Sequence, residues 1–308
     1  MAVDITALYC CLDDFCKMFA EWETHQLIPS PSRRQRSGKL SRSEMLFIRV
    51  LFHLSPYKNF KTFYLLGIGV QHRACFRDLP HYDRFVSLMP RLFVPLMVLL
   101  HSLSGEETGI YFGDSSKLAV CHNRRINRHQ VFDGLAARGK TSMGWFFGLK
   151  LHVVINHKGE IMAVKITSGN IADSTVLDEI TRHLRGKIYA DKGYISREVF
   201  RKLWQRGLHL ITGIRRNMRN HLMLLDEKIM LRKRFVIETV FDILKCEMGL
   251  EHSRHRSPRN AMSTFCPASL PMPTDPVSHP SLAKAKCSRS IHSWGYLHRG
   301  APAEPFGA

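Results

Sequence analysis

Acidic residues are scarce in this 308-residue chain: 26 Asp and Glu stand against 45 Lys and Arg, a net charge of +19. An excess that large excludes cationic partners and points to a polyanion, with DNA or RNA first. Cys-x-x-Cys pairs are absent. The eight cysteines (Cys10, Cys11, Cys16, Cys75, Cys121, Cys246, Cys266 and Cys287) follow no regular spacing. That excludes a zinc ribbon or disulfide framework, and they read as reduced thiols of a cytosolic protein without a signal peptide. Long hydrophobic runs are missing too. The most apolar stretch, Leu92 to Leu103, is too short to span a bilayer and carries His101, so it reads as a core helix with no membrane partner. Hydrophobic residues still make up 44% of the chain, enough for a substantial core and too many for wholesale disorder.

The hydrophobic period changes along the chain. Residues 1–105 read as an all-α N-terminal region for DNA binding or assembly. Met45 to Leu54 has apolar residues at helical spacing, and Ser41-Arg-Ser-Glu44 before it is a capping-box signature. From about 106 to 260 the pattern is strand, hairpin, helix, strand, helix, strand, helix. The strands are Gly109–Asp114, the hairpin arms 145–156 and 160–167 around Lys158-Gly159, 187–191 and 208–214; the helices are 174–184, 196–205 and 232–247. An α/β fold follows, a mixed sheet flanked by helices. Residues 261–308 hold seven of the 14 prolines and show no period, so they read as an aberrant, disordered tail.

Three short segments each carry one acid suited to metal chemistry. Asp114 ends the strand in Tyr111-Phe-Gly-Asp114, Asp191 ends Ile188-Tyr-Ala-Asp191 before a glycine turn, and Glu238 lies just beyond the apolar face of the helix in Arg232-Lys-Arg-Phe-Val-Ile-Glu238. Each alone also fits a capping or solvated role. Between Arg201 and Arg234 there are 10 Lys or Arg and only two acids, Asp226 and Glu227. Carboxylates converging in this chain would repel one another unless a divalent cation bridged them. A hard ion such as Mg²⁺ takes few protein carboxylates and fills its shell with water and phosphate oxygens. Two ions about 4 Å apart suit phosphodiester chemistry.

These segments resemble the DDE transposases of bacterial insertion sequences, specifically the group numbered 982. The resemblance runs from about residue 5 to 260. It includes Asp114-Ser-Ser-Lys-Leu-Ala-Val-Cys-His-Asn-Arg-Arg125, Arg138-Gly-Lys-Thr-Ser-Met-Gly-Trp-Phe-Phe-Gly-Leu-Lys-Leu-His152, Gly169-Asn-Ile-Ala-Asp173, Asp191-Lys-Gly-Tyr and Glu251-His-Ser-Arg-His-Arg-Ser257. It implies a ribonuclease-H-like catalytic core in which Asp114, Asp191 and Glu238 bind two Mg²⁺, with Mn²⁺ as a substitute. It further implies cleavage at the element's terminal inverted repeats, strand transfer into target DNA and a homo-oligomer on paired ends, in the bacterial cytoplasm at the nucleoid. After about Asn260 the resemblance stops, as though the reading frame had shifted. A degraded copy that only binds DNA, or a basic metal-dependent nuclease, are the alternatives.

Three basic clusters are candidate DNA contacts: Arg124, Arg125 and Arg128; Arg215, Arg216 and Arg219; and Arg254 and Arg256. Lys192 beside Asp191 joins them. Asp173 reads as the N-cap of the helix that follows it, with metal ligation as the alternative. Trp145 reads as a core aromatic of a strand, with base stacking as the alternative.

Overall fold

The computed structural model describes residues 4–25, 38–141, 144–216, 218, 222–250, 257–258 and 260–261. Arg219, Arg254, Arg256 and the expected disordered tail therefore lie outside the described residues. Two units are formed, 4–103 and 104–261.

The first unit is all helical. In α1 (Ile5–His25), Leu12, Phe15, Cys16 and Phe19 recur at helical spacing and are buried. The expected capping box opens α2 (Arg42–Leu54): the Glu44 amide donates to the Ser41 hydroxyl, and the Ser41 amide donates to the Glu44 carboxylate. A short α3 (Phe60–Thr62) continues as a wider-turned helix over Phe63–Gln71. The last helical stretch, Tyr82–Ser102, is long and apolar enough to cross a membrane by length and composition. It is instead segmented into α4 (Tyr82–Leu88), a 3₁₀ turn with Pro90 and α5 (Phe93–Ser102), with Phe85, Met89, Leu92, Leu96 and Leu99 buried in the unit's core.

The second unit is built on one sheet. Its strands are β1 (Ile110–Cys121), β2 (Ala137–Thr141), β3 (Gly144–Asn156), β4 (Ile161–Ser168), β5 (Gly186–Ala190) and β6 (Leu208–Thr212). β3 pairs antiparallel with β1 on one side, and with β2 and β4 on the other. β5 and β6 continue the sheet parallel to β1. This antiparallel-then-parallel order is the expected ribonuclease-H-like arrangement. Gly159 makes the β3–β4 turn at φ +85°, a value that glycine alone adopts cheaply. Helices α6 (Asp173–Ile180) and α7 (Arg197–Gln205) place Leu177, Val199 and Leu203 against Tyr111, Val154, Ile188 and Leu210 of the sheet.

Two expectations change. Asp114 does not end its strand: β1 runs seven residues further because β3 pairs with it as far as Cys121. What ends near Asp114 is the pairing with β5, whose last register pair is Gly113 with Ala190. The expected helix over 232–247 is also broken. Helix α8 (Leu225–Lys233) precedes it, the chain turns at Arg234 and Phe235, and α9 (Val236–Asp242) begins anew before a wide turn over Ile243–Glu247. Ile237, Phe241 and Leu244 are its buried side chains, while Ile243 is exposed.

Candidate active site

The parallel pairing of β1 with β5 positions the first two acids. Gly113 faces Ala190 in register, so Asp114 and Asp191 are the next residues on neighbouring strands. They interact electrostatically. Asp191 sits one residue past β5, where it begins a 3₁₀ turn over Lys192–Tyr194, and it is exposed. Glu238 stands in the first turn of α9, with a side chain 63% exposed, and is linked to Asp114 through Arg234. Burial of Ile237 fixes that turn against the fold, and its neighbour Glu238 is left at the rim.

Arg234 ties the arrangement together. Its guanidinium donates to Asp114 Oδ2 at 2.7 Å and lies 3.7 Å from Glu238 Oε1, one helical turn away. The other Asp114 oxygen accepts the Ser115 amide at 2.8 Å. Burial pushes the Asp114 carboxyl above the usual carboxylate range and Asp191 adds to the rise, while the Ser115 amide and Arg234 pull the other way.

Among the described residues, no three His, Cys, Asp or Glu side chains stand close enough to share a metal ion. The donors are nonetheless hard carboxylate oxygens, and two of them already hold a cation, the Arg234 guanidinium. Hard oxygen donors of this kind fit a divalent ion.

A second cluster lies beneath Asp114. Asp173 is not an N-cap: it is the first residue of α6, whose N-cap is Ala172, and its carboxylate accepts from Lys150 Nζ at 3.1 Å. Its Oδ1 lies 4.0 Å from Nδ1 of His152, a buried atom with no hydrogen-bond partner among the described residues. Burial lowers the His152 pKa to about 4, so the ring is neutral at pH 7. Its Nε2 is 2.8 Å from the Thr167 hydroxyl. Tyr194, buried beside Asp114 and Asp173, hydrogen-bonds Ser115, and burial raises its phenol far above the ordinary value. Sequence reasoning missed Arg234, Lys150, His152 and Tyr194. Only Arg234 left a signal, one helical turn before Glu238.

The candidate DNA contacts among the described residues lie at the surface. Arg124, Arg125 and Arg128 are all exposed on a 3₁₀ turn over Asn123–Arg128. Arg216 and Lys192 are exposed as well. Arg215 is exposed too, and its guanidinium donates twice to the Lys192 carbonyl, at 2.8 and 3.2 Å, so that it also braces the turn that carries Asp191.

A family model described as the transposase DDE domain matches residues 104–258, half of the chain and nearly all of the second unit. The chain belongs to this transposase family. DDE transposases generally use divalent metal ions, in agreement with the donor set. Among solved structures, a piggyBac transposase synaptic complex with hairpin DNA is similar at 10% identity and a TM-score of 0.45, covering 98% of this chain and 83% of that one. The comparison with curated proteins returned no match.

Proposed function

We propose that this chain is the transposase of a bacterial insertion sequence of the group numbered 982. In this reading it cuts DNA at the element's terminal inverted repeats and joins the freed 3′ ends to target DNA. The observation that carries the reading is the β1–β5 register, which sets Asp114 beside Asp191, with Arg234 linking Asp114 to Glu238. These three acids would hold two Mg²⁺, with Mn²⁺ as a substitute. The ions would supply charge neutralisation for phosphoryl transfer. The protein's own part is to hold the scissile phosphate in line and to exclude alternative geometries. Arg124, Arg125, Arg128, Lys192, Arg215 and Arg216 supply cations for the phosphate backbone; Arg219, Arg254 and Arg256 belong to the same proposal. A homo-oligomer on paired ends, acting at the nucleoid in the cytoplasm, completes it.

Asp191→Asn tests the assignment. It should abolish Mg²⁺-dependent cleavage of DNA bearing the terminal repeat while leaving binding of that DNA largely intact. Equal cleavage by the variant would remove Asp191 from the site, and equal cleavage of DNA without repeats would make the chain a generic nuclease. The ion pair between Arg234 and Asp114 favours one second reading, a copy that binds DNA without cutting it. In that case Mg²⁺ would produce no cleavage even in the Arg234→Gln variant.

A further inference from the structure

The far end of the β1–β3 ribbon carries an aromatic platform that the cleavage chemistry does not use. Trp145 is not a core residue: it is 56% exposed, although it sits on the same strand as the buried Phe146. Lys140 stands directly opposite it in the β2–β3 register, and Arg138 follows two residues away on the same face of β2. Lys140 Nζ and the Arg138 guanidinium carbon each lie 5.7 Å from the ring centroid, within cation–π range.

The platform is held in place from behind. Asn123 Nδ2 donates to the Trp145 carbonyl at 2.9 Å, which fastens the turn bearing Arg124, Arg125 and Arg128 to the same strand. Phe147, two residues on and so on the same side as Trp145, meets His129 edge-on, and His129 stacks on Phe132. Between Arg138 and Lys140, Gly139 presses so close to β4's end that an added Cβ would lie 2.2 Å from the Gly169 carbonyl oxygen. The two cations are therefore presented by a β2 backbone packed tightly in place.

We propose that Trp145 is a stacking site for an unpaired nucleobase of DNA, with Arg138, Lys140 and the Arg124–Arg128 turn holding the adjoining phosphates. The proposal rests on the reading of the chain as a DNA-processing enzyme and adds a partner surface to it. An exposed indole stacks only on a base whose face is free, which paired bases inside a duplex do not offer; a terminal, flipped or single-stranded base does. Arg138 and Lys140 at the ring, and the exposed Arg124, Arg125 and Arg128 on the turn that Asn123 fastens to the Trp145 carbonyl, supply cations for the phosphates on either side of such a base; Asp133 is exposed in the loop beyond them. Trp204 makes a useful contrast. It is similarly exposed at 54%, but its ring already stacks on His209 at 4.0 Å and on Phe200, and no cation–π contact to it is found among the described residues.

The experiment compares the affinity of the full chain for an oligothymidine strand and for a relaxed closed-circular duplex, which has no terminal base, without divalent ions. Trp145→Ala should weaken strand binding about tenfold or more and leave duplex binding within about twofold, as loss of one base–aromatic stack implies. Trp145→Phe should restore most of the loss, and Trp204→Ala should change neither affinity. Equal losses on both DNAs, or no loss on the strand, would overturn the proposal; circular dichroism matching the parent excludes unfolding as the cause. The readout is binding, so failure of repeat-end cleavage would not affect this result, nor would loss of the stacking site affect the Asp191→Asn test.

Discussion

The two ends of the β1–β3 ribbon are built from opposite charges. At one end Asp114 is half-buried near Tyr194, His152 and Leu177, paired with the Arg234 guanidinium. At the other, Trp145 and five cations face solvent. Trp145 lies eight residues along β3 from Val153, the register partner of Asp114, or roughly 26 Å at ~3.3 Å per residue. The contrast teaches that the net +19 is not spread evenly. Cations collect where a polyanion would be held. At the acidic end, burial and the neighbouring Asp191 make the Asp114 charge costly, and the Arg234 guanidinium relieves it.

The comparison can be broken most sharply at the acidic end. Asp114→Asn should lower Mg²⁺-dependent cleavage of repeat-bearing DNA by at least about 10³-fold with little change in binding; an assay at saturating DNA measures both. Next in size is Ile237→Ala. This side chain is fully buried in the turn that presents Glu238, so truncation should destabilise the fold by about 2–5 kcal/mol in urea unfolding and reduce cleavage with it.

A pH series separates the second cluster from the first. His152 is neutral in the fold with a pKa near 4, against 6.5 ordinarily. Its contribution is therefore fully present above about pH 6.5 and is lost as pH falls toward 4, a loss of about 3 kcal/mol. The raised Asp114 carboxyl runs the other way, losing stability as pH rises through its pKa. Unfolding measured in the Asp114→Asn background should show the His152 slope alone, and His152→Leu should flatten it. Lys150, Lys165 and Asp173 face the ring and are kept in both proteins.

At the basic end, replacing Arg124, Arg125 and Arg128 together with Gln should reduce the slope of log affinity against log salt by roughly 3 for duplex DNA. Cleavage at saturating DNA should be unchanged. The smallest effect sharpens the role of the guanidinium: Arg234→Gln should tighten Mn²⁺ binding by about tenfold in a calorimetric titration without DNA, because the ion no longer competes with a built-in cation. Weaker Mn²⁺ binding would mean that Arg234 positions the acids for metal instead.

Much of the second unit was legible in sequence because its signals are local. The apolar, β-branched runs of β3 and β4 around the Lys158-Gly159 turn specify a hairpin, and the short apolar run of β5 stops at Asp191. Asp114 misled for a local reason too. A polar Asp-Ser-Ser-Lys run looks like a strand's end, but β3 supplies a partner at every residue and carries the strand through it. The break between α8 and α9 was hidden because Arg232 to Arg234 continue a helix-compatible composition while the turn at Phe235 depends on what Ile237 packs against. Trp145 read as core since aromatics in strands usually are. Its exposure follows from position: it pairs only with β2, beyond the last residue of β3 that pairs with β1.

What the sequence determined by itself is the class of chemistry. Few acids in a basic chain point to a polyanion, and the resemblance from about residue 5 to 260 implies DNA as that partner and three candidate carboxylates. Only the tertiary structure decided which groups meet. The β1–β5 register puts Asp114 beside Asp191, the restart of the helix at α9 lets Arg234 stand between Asp114 and Glu238, and the β2–β3 register sets two cations against Trp145. None of these is a property of spacing. Each depends on pairing between segments tens of residues apart, which only the closed sheet brings within reach of one another.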